Sequence, residues 1–244
     1  MRHQLNISLP TCWQELSDRQ LRQVFHLLNG QYTLTQIKAL CLLRWAHLRV
    51  VRREGVVFIV RHDKRNWPVT AQQIYDATET LQWLGDFPAY PVRLPRIGRH
   101  RAKRADFQDV SFGDYLAIDN FYHGYLQTQN KDLLREIAVI LYKAKRIKLS
   151  PEEDLSVFYW VTSIKRYFAN TFTAFFRQVS TDDNGFGGGA LSYQQLRDNM
   201  DTQIRALTGG DITKEKEVLE MDCWRALTEL NAKAKDYEDI HSKK

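Results

Sequence analysis

The sequence predicts a mainly α protein with a small β-hairpin or sheet near the N-terminus. Three observations predict it. Apolar residues recur at i, i+3, i+4 and i+7 through most of the chain, as in Leu21, Val24, Phe25 and Leu28. Helix-start signals recur as well, each pairing a capping residue with a suitable first turn. Only around residues 48–61 does the pattern turn β-branched, in Leu48–Arg52 and Val56–Arg61 around a turn-like Arg53-Glu54-Gly55.

Taken in order, Leu5–Leu9 reads as a short strand and Thr11 as the start of a turn. Ser17 with Gln20 has capping-box spacing and opens a helix over 18–29. Asn29-Gly30 would end it in a left-handed cap. A second helix runs from Leu34 to about His47, with Ile37, Leu40, Cys41 and Leu48 on one face. Trp67-Pro68 either ends or extends the sheet. Thr70 with Gln73 caps a third helix carrying Ile74, Ala77, Leu81 and Leu84. Pro88, Pro91 and Pro95 exclude helix over 87–96, so 85–110 reads as an extended excursion.

Helices resume at 112–128 and 131–145, the second capped by Asn130. Ser150-Pro151-Glu152-Glu153 combines an N-cap, an N1 proline and acids at the positive end of the helix dipole. The aromatic helix that follows reaches about Gln178. Residues 180–190 are polar and glycine-rich and read as a linker. A helix at 191–207, a break at Gly209-Gly210 and a final helix from Asp211 to about Glu238 complete the chain. The organisation expected is a helical region with hairpin and basic segment (1–110), an aromatic helical core (111–180), the linker (181–190) and a C-terminal helical pair (191–244).

The apolar fraction of 43% and six tryptophans fit a chain of 244 residues with a substantial core. Cys12, Cys41 and Cys223 are widely spaced, which argues against a disulfide framework or zinc knuckle and for a reducing compartment. The opening MRHQLNISLP lacks the apolar core of a signal peptide, and no run of apolar residues is long enough to span a bilayer. The expectation is a protein of the cytoplasm with no membrane contact.

Residues up to 110 hold 17 Lys and Arg against 9 Asp and Glu; the rest hold 18 against 20. The basic run Arg93, Arg96, Arg99, Arg101, Lys103 and Arg104 contains no acid. It could neutralise phosphates or dock on an acidic surface of its own or a neighbouring copy. The two helices and hairpin at the N-terminus could form a winged-helix fragment. Thr35, Gln36 and Lys38 would then face bases, with Arg44, Arg49, Arg52, Arg53 and Arg61 around them.

No pattern identifies a cofactor, metal centre or catalytic group. Asp119 and His123 share a helix face, but two donors at that spacing do not make a metal site. Cys12 has no local nucleophile signature, and Gly185–Gly189 lacks the ending of a phosphate loop. In the final helix, Val218, Leu219, Trp224, Leu227 and Leu230 form an apolar stripe inside a charged surround. Behind a linker, that stripe could enter a partner's groove or fold onto its own core.

The opening LPTCWQELSDRQLRQVFHLL, the central KDLLREIAVILYKAK and the ending MDTQIRALTGGDITKEKEVLEMDCWRALTELNAKAKDYEDI resemble a family of proteins from phages and prophages of gut Bacteroidetes. These in turn resemble tail assembly chaperones and other tail or neck components. The resemblance implies virion assembly by protein contact, with tail, neck or tape-measure proteins as partners and self-association as another option. It implies action in the host cytoplasm or within the virion, and it carries no catalytic residues. The length and the basic excursion depart from a plain tail chaperone. They leave open a head–tail connector, or a nucleic-acid-binding module using the basic N-terminal half.

Overall fold

The structure is a computed structural model that describes residues 7–181 and 193–241. It is mainly α, with ten helices and a small antiparallel sheet at 49–70 among the described residues. The chain divides into two compact units: Met1–Pro88 with Pro151–Leu155, and Ala89–Ser150 with Ser156–Lys244.

In the first unit, Ser17 and Gln20 close a reciprocal capping box that starts α1 (Asp18–Asn29). Thr33 and Gln36 do the same for α2 (Leu34–Trp45), and Thr70 and Gln73 for α3 (Ala71–Glu79). Each box satisfies helix-end amides that would otherwise lack partners. Gly30 does not adopt the expected left-handed cap; its φ is −83°. Glycine serves a different need there, because a Cβ would meet the Tyr32 ring at 2.8 Å. The expected strand at 5–9 falls partly outside the described residues, and residues 7–9 belong to no strand.

Strands β1 (Arg49–Glu54), β2 (Val57–His62) and β3 (Arg65–Thr70) form a meander in the order β1-β2-β3. Trp67-Pro68 therefore extends the sheet. Pro68 is tolerated because β3 is an edge strand and its missing amide costs no ladder bond. Trp13 anchors the core. It stacks on Phe25, meets Trp83 edge-on, and donates its indole N–H to the carbonyls of Trp83 and Asp86.

The second unit includes 89–110, which supplies Ile97, Phe107 and Val110 to its core. Two short strands, β4 (Arg96–Ile97) and β5 (His100–Arg101), pair as a hairpin within this expected excursion. Helices α4 (Phe112–Thr128), α5 (Lys131–Leu141), α6 (Pro151–Thr171, from Ser156 onward in this unit) and α7 (Thr173–Thr181) follow. The long aromatic helix is thus broken at Phe172. The first amides of α7 bond to Asn231 Oδ1 at 3.1 and 3.2 Å, so the break is held from the last helix. The glycine-rich segment lies outside the described residues from 182 onward.

Helix α8 (Tyr193–Thr208) ends at Gly209 and Gly210, whose φ values of 65° and 85° only glycine adopts cheaply. The expected single last helix is two: α9 (Glu215–Glu220) and α10 (Cys223–His241). Met221 is extended, and its carbonyl accepts from the Phe112 amide. Asp222 bridges to Ser111, and its carboxylate caps the amides of Trp224 and Arg225. The helical sequence period continues through the break, but these bonds to the start of α4 override it. At Gly113 the α9 backbone comes so near that a Cβ would lie 3.2 Å from the Leu219 carbonyl oxygen.

Candidate functional site

The two candidate surfaces meet different fates. Val218, Leu227 and Leu230 are buried in the second unit's own core, and Leu219 and Trp224 pack against it. Trp224 contacts the rings of Tyr167, Phe168 and Phe172 and donates its indole N–H to the Asp106 carbonyl at 2.6 Å. The stripe therefore folds onto its own unit. As a groove-binding face it is corrected, because these side chains are already covered.

The six-cation run splits in two. Arg93 is half-buried; its Nε donates to the Lys103 carbonyl, and its guanidinium sits 5.9 Å from the Trp160 ring centroid. Lys103 is buried and paired with Asp114 at 2.7 Å. Arg104 forks onto both oxygens of Asp106 at 3.1 Å. Burial alone would raise the Asp106 carboxyl, but bonds from Arg104 and the Gln108 amide outweigh it and hold it below the usual range. These three cations hold the segment together and are not free to bind anions.

Arg96, Arg99 and Arg101 lie beyond this cluster. All three are exposed on the β4–β5 hairpin. Gly98, with φ of 54°, makes the two-residue turn that puts Arg99 at its tip. Arg96 and Arg101 are direct cross-strand partners, so like charges share one face.

The base of this hairpin is fixed to the end of α5. The Lys103 amide donates to the Leu141 carbonyl at 2.7 Å, and the Tyr142 hydroxyl donates to the Leu94 carbonyl at 2.9 Å. Directly after those two residues comes Lys143-Ala144-Lys145-Arg146-Ile147-Lys148. Its four cations are exposed, while Ala144 is buried and Ile147 half-buried. At ~3.5 Å per residue, Arg101 lies within about 7 Å of Lys103, and Lys143 within about 7 Å of Leu141. The second unit thus carries seven exposed cations on two basic runs whose bases are held together.

No acid occurs in 87–105 or in 137–151. Lys143 approaches Asp109 at the outer limit of 4.0 Å. Among the described residues, Arg99, Arg101, Lys145, Arg146 and Lys148 form no ion pair. The reading from sequence missed 143–148 as a binding element, although its alternation of cations with small or apolar residues is plain once 131–145 is not all helix.

Of the three candidate base readers on α2, Lys38 is withdrawn into the core, Gln36 is engaged in the capping box and Thr35 stays exposed. Lys38 is 5% exposed and donates to Glu79 and Gln82, each at 2.7 Å. A side chain tied down in that way cannot reach a groove.

The Asp119–His123 pair gains a third member. Lys165 is buried, pairs with Asp119, and lies 3.2 Å from His123 Nε2 and over the Tyr122 ring. Among the described residues, no group of three metal-ligating side chains occurs. Burial, and then the Lys165 ammonium, push His123 below its usual range, while Asp119 pulls the other way. The folded protein therefore binds fewer protons than the unfolded chain between that lowered value and the ordinary 6.5. Stability is full above that ordinary value and is lost as pH falls through the window. His123→Gln is expected to flatten this loss in urea unfolding compared at about pH 7.5 and 5.5. An unchanged pH dependence would count against it.

Two of the three thiols, Cys41 and Cys223, are buried and held protonated. Burial pushes Cys41 up to about 12, and burial followed by Asp222 raises Cys223 further. Thiols held protonated are poor nucleophiles and poor metal ligands. Among the described residues, no helix is long and apolar enough to cross a membrane. No protein-family model matches the chain, and no curated protein or solved structure matches it significantly.

Proposed function

We propose that this chain is a binding protein of bacteriophage particle assembly, resembling tail assembly chaperones and acting by surface contact without catalysis. The motifs at both ends and in the centre support the phage setting. The observation that carries the binding role is the seven-cation end of the second unit. Five of them (Arg99, Arg101, Lys145, Arg146 and Lys148) form no ion pair among the described residues, and apposing like charges such as Arg96 and Arg101 costs stability. A partner of opposite charge recovers that cost. That partner is anionic: an acidic face of a tail or neck component, of the tape-measure protein or of a head–tail connector, or nucleic acid met during assembly, in the host cytoplasm or within the particle.

The test is co-expression with the tail-tube and tape-measure proteins, or with the portal and head-completion proteins, of a phage encoding this chain. Size-exclusion chromatography at low and high salt follows. Salt-sensitive co-elution with one set is expected. A protein that co-elutes with neither set at either salt overturns the reading.

A further inference from the structure

We propose that the basic end of the second unit binds the phosphate backbone of double-stranded DNA, without reading its sequence. This rests on the preceding reading that the surface takes an anionic partner, and it names that partner's chemistry.

Three observations bear on the choice between a duplex backbone and an acidic protein surface: the first admits either, and the other two favour the duplex. First, the side chains are of the right kind. Four of the seven are arginines (Arg96, Arg99, Arg101, Arg146), whose planar forks match phosphate oxygens, and three are lysines (Lys143, Lys145, Lys148). Second, apolar anchors are missing from the two runs. Val92, Leu94, Ile97, Tyr142 and Ala144 are buried, and Ile147 is half-buried. A protein interface draws most of its energy from buried aromatic and aliphatic anchors at its centre, and this surface offers none. Single-stranded nucleic acid would need several exposed rings for its bases to stack on, and these runs hold only the half-buried His100 outside the core.

Third, the spacing is fixed. Cross-strand pairing holds the Cα atoms of Arg96 and Arg101 about 5 Å apart. The backbone bonds to Leu141 and from Tyr142 hold the hairpin beside the second run. A duplex presents one charge per ~1.7 Å of axis, so several phosphates lie within reach of such a cluster at once. Contacts to phosphates position a protein on a duplex without reading its bases, so recognition is of charge and shape.

The experiment titrates the full-length protein against a duplex of about 20 base pairs, its single strand and poly-glutamate, from about 50 to 200 mM salt. For the duplex, the slope of log affinity against log salt is expected near −4 to −6, as for about five or six neutralised phosphates. The variant Arg99→Ala/Arg101→Ala/Lys145→Ala/Arg146→Ala should make that slope shallower by about 3 to 4 units. Its helical circular dichroism should not change, since none of the four side chains is buried. Arg49→Ala/Arg61→Ala, a like-charge pair on the sheet of the first unit, should leave the slope as it is.

Poly-glutamate binding as tight as the duplex, lost in the quadruple variant, overturns the DNA assignment and leaves an acidic protein partner. Tighter binding of the single strand overturns it too. So does a slope that responds to the first-unit pair and not to the quadruple variant. Failure to bind any of the three probes overturns the anionic-partner reading as well.

Discussion

Trp160→Ala is expected to destabilise the second unit by about 3–5 kcal/mol, the range for removing a large buried aromatic. The ring is fully buried and meets Phe107 and Tyr142 edge-on, with centroids 5.8 and 5.9 Å away. Its indole N–H donates to the Ala105 carbonyl at 2.8 Å. Truncation removes the packing and also leaves that carbonyl without its donor, which adds about 1–3 kcal/mol where water cannot enter. Trp160→Phe keeps most of the ring and loses only the donor, so its loss should be the smaller. Native-state hydrogen exchange of the α5 and α10 amides reads both. A loss below about 1 kcal/mol for the alanine variant would show that the site collapses freely.

This substitution also bears on the proposed surface. Arg93, Ala105 and Phe107 all touch Trp160 and all belong to the segment carrying the hairpin. One aromatic side chain of α6 therefore holds the segment on both sides of Arg96–Arg101. The helix supplies rigidity, and the excursion supplies charge. Trp160→Phe should accordingly keep DNA binding where Trp160→Ala weakens it through the hairpin's position.

Local chemistry made much of the fold legible. Ser17 with Gln20, Thr70 with Gln73, and Asn130 each cap the helix their spacing implies, because capping is decided within three residues. The hairpin at 96–101 was legible too, from Gly98-Arg99 as a two-residue turn, but three prolines in 88–95 drew the reading towards a loop. What stayed hidden was set by distant contacts. Nothing near Met221 in the chain announces that its carbonyl accepts from Phe112, although Asp222 as a cap was readable. The six cations of 93–104 look alike in sequence, and only the fold separates Arg93, Lys103 and Arg104, which tie the segment together, from the three exposed on the hairpin. The meeting of that run with 143–148 depends on bonds between Lys103 and Leu141 and between Leu94 and Tyr142, residues 38 and 48 positions apart.

Leu227→Ala is expected to cost about 2–5 kcal/mol, and it decides what the last helix is for. Leu227 is fully buried, Leu230 is 4% exposed and Val218 5%, all within one core with Cys223 and Ala226. A docking face would behave in the opposite way. Its truncation would leave the chain as stable as before and abolish partner binding. Here partner binding should fall only as far as the folded fraction falls, because Leu227 offers no surface to a partner. Ile240, 62% exposed near the end of α10, provides the comparison. Ile240→Ser should change stability by no more than about 0.5 kcal/mol, since it empties no cavity. Urea unfolding of both variants, set beside their salt-dependent binding, separates the two roles. A stable Leu227→Ala protein that has lost its partner would return function to the α10 stripe and remove it from the basic end of the unit.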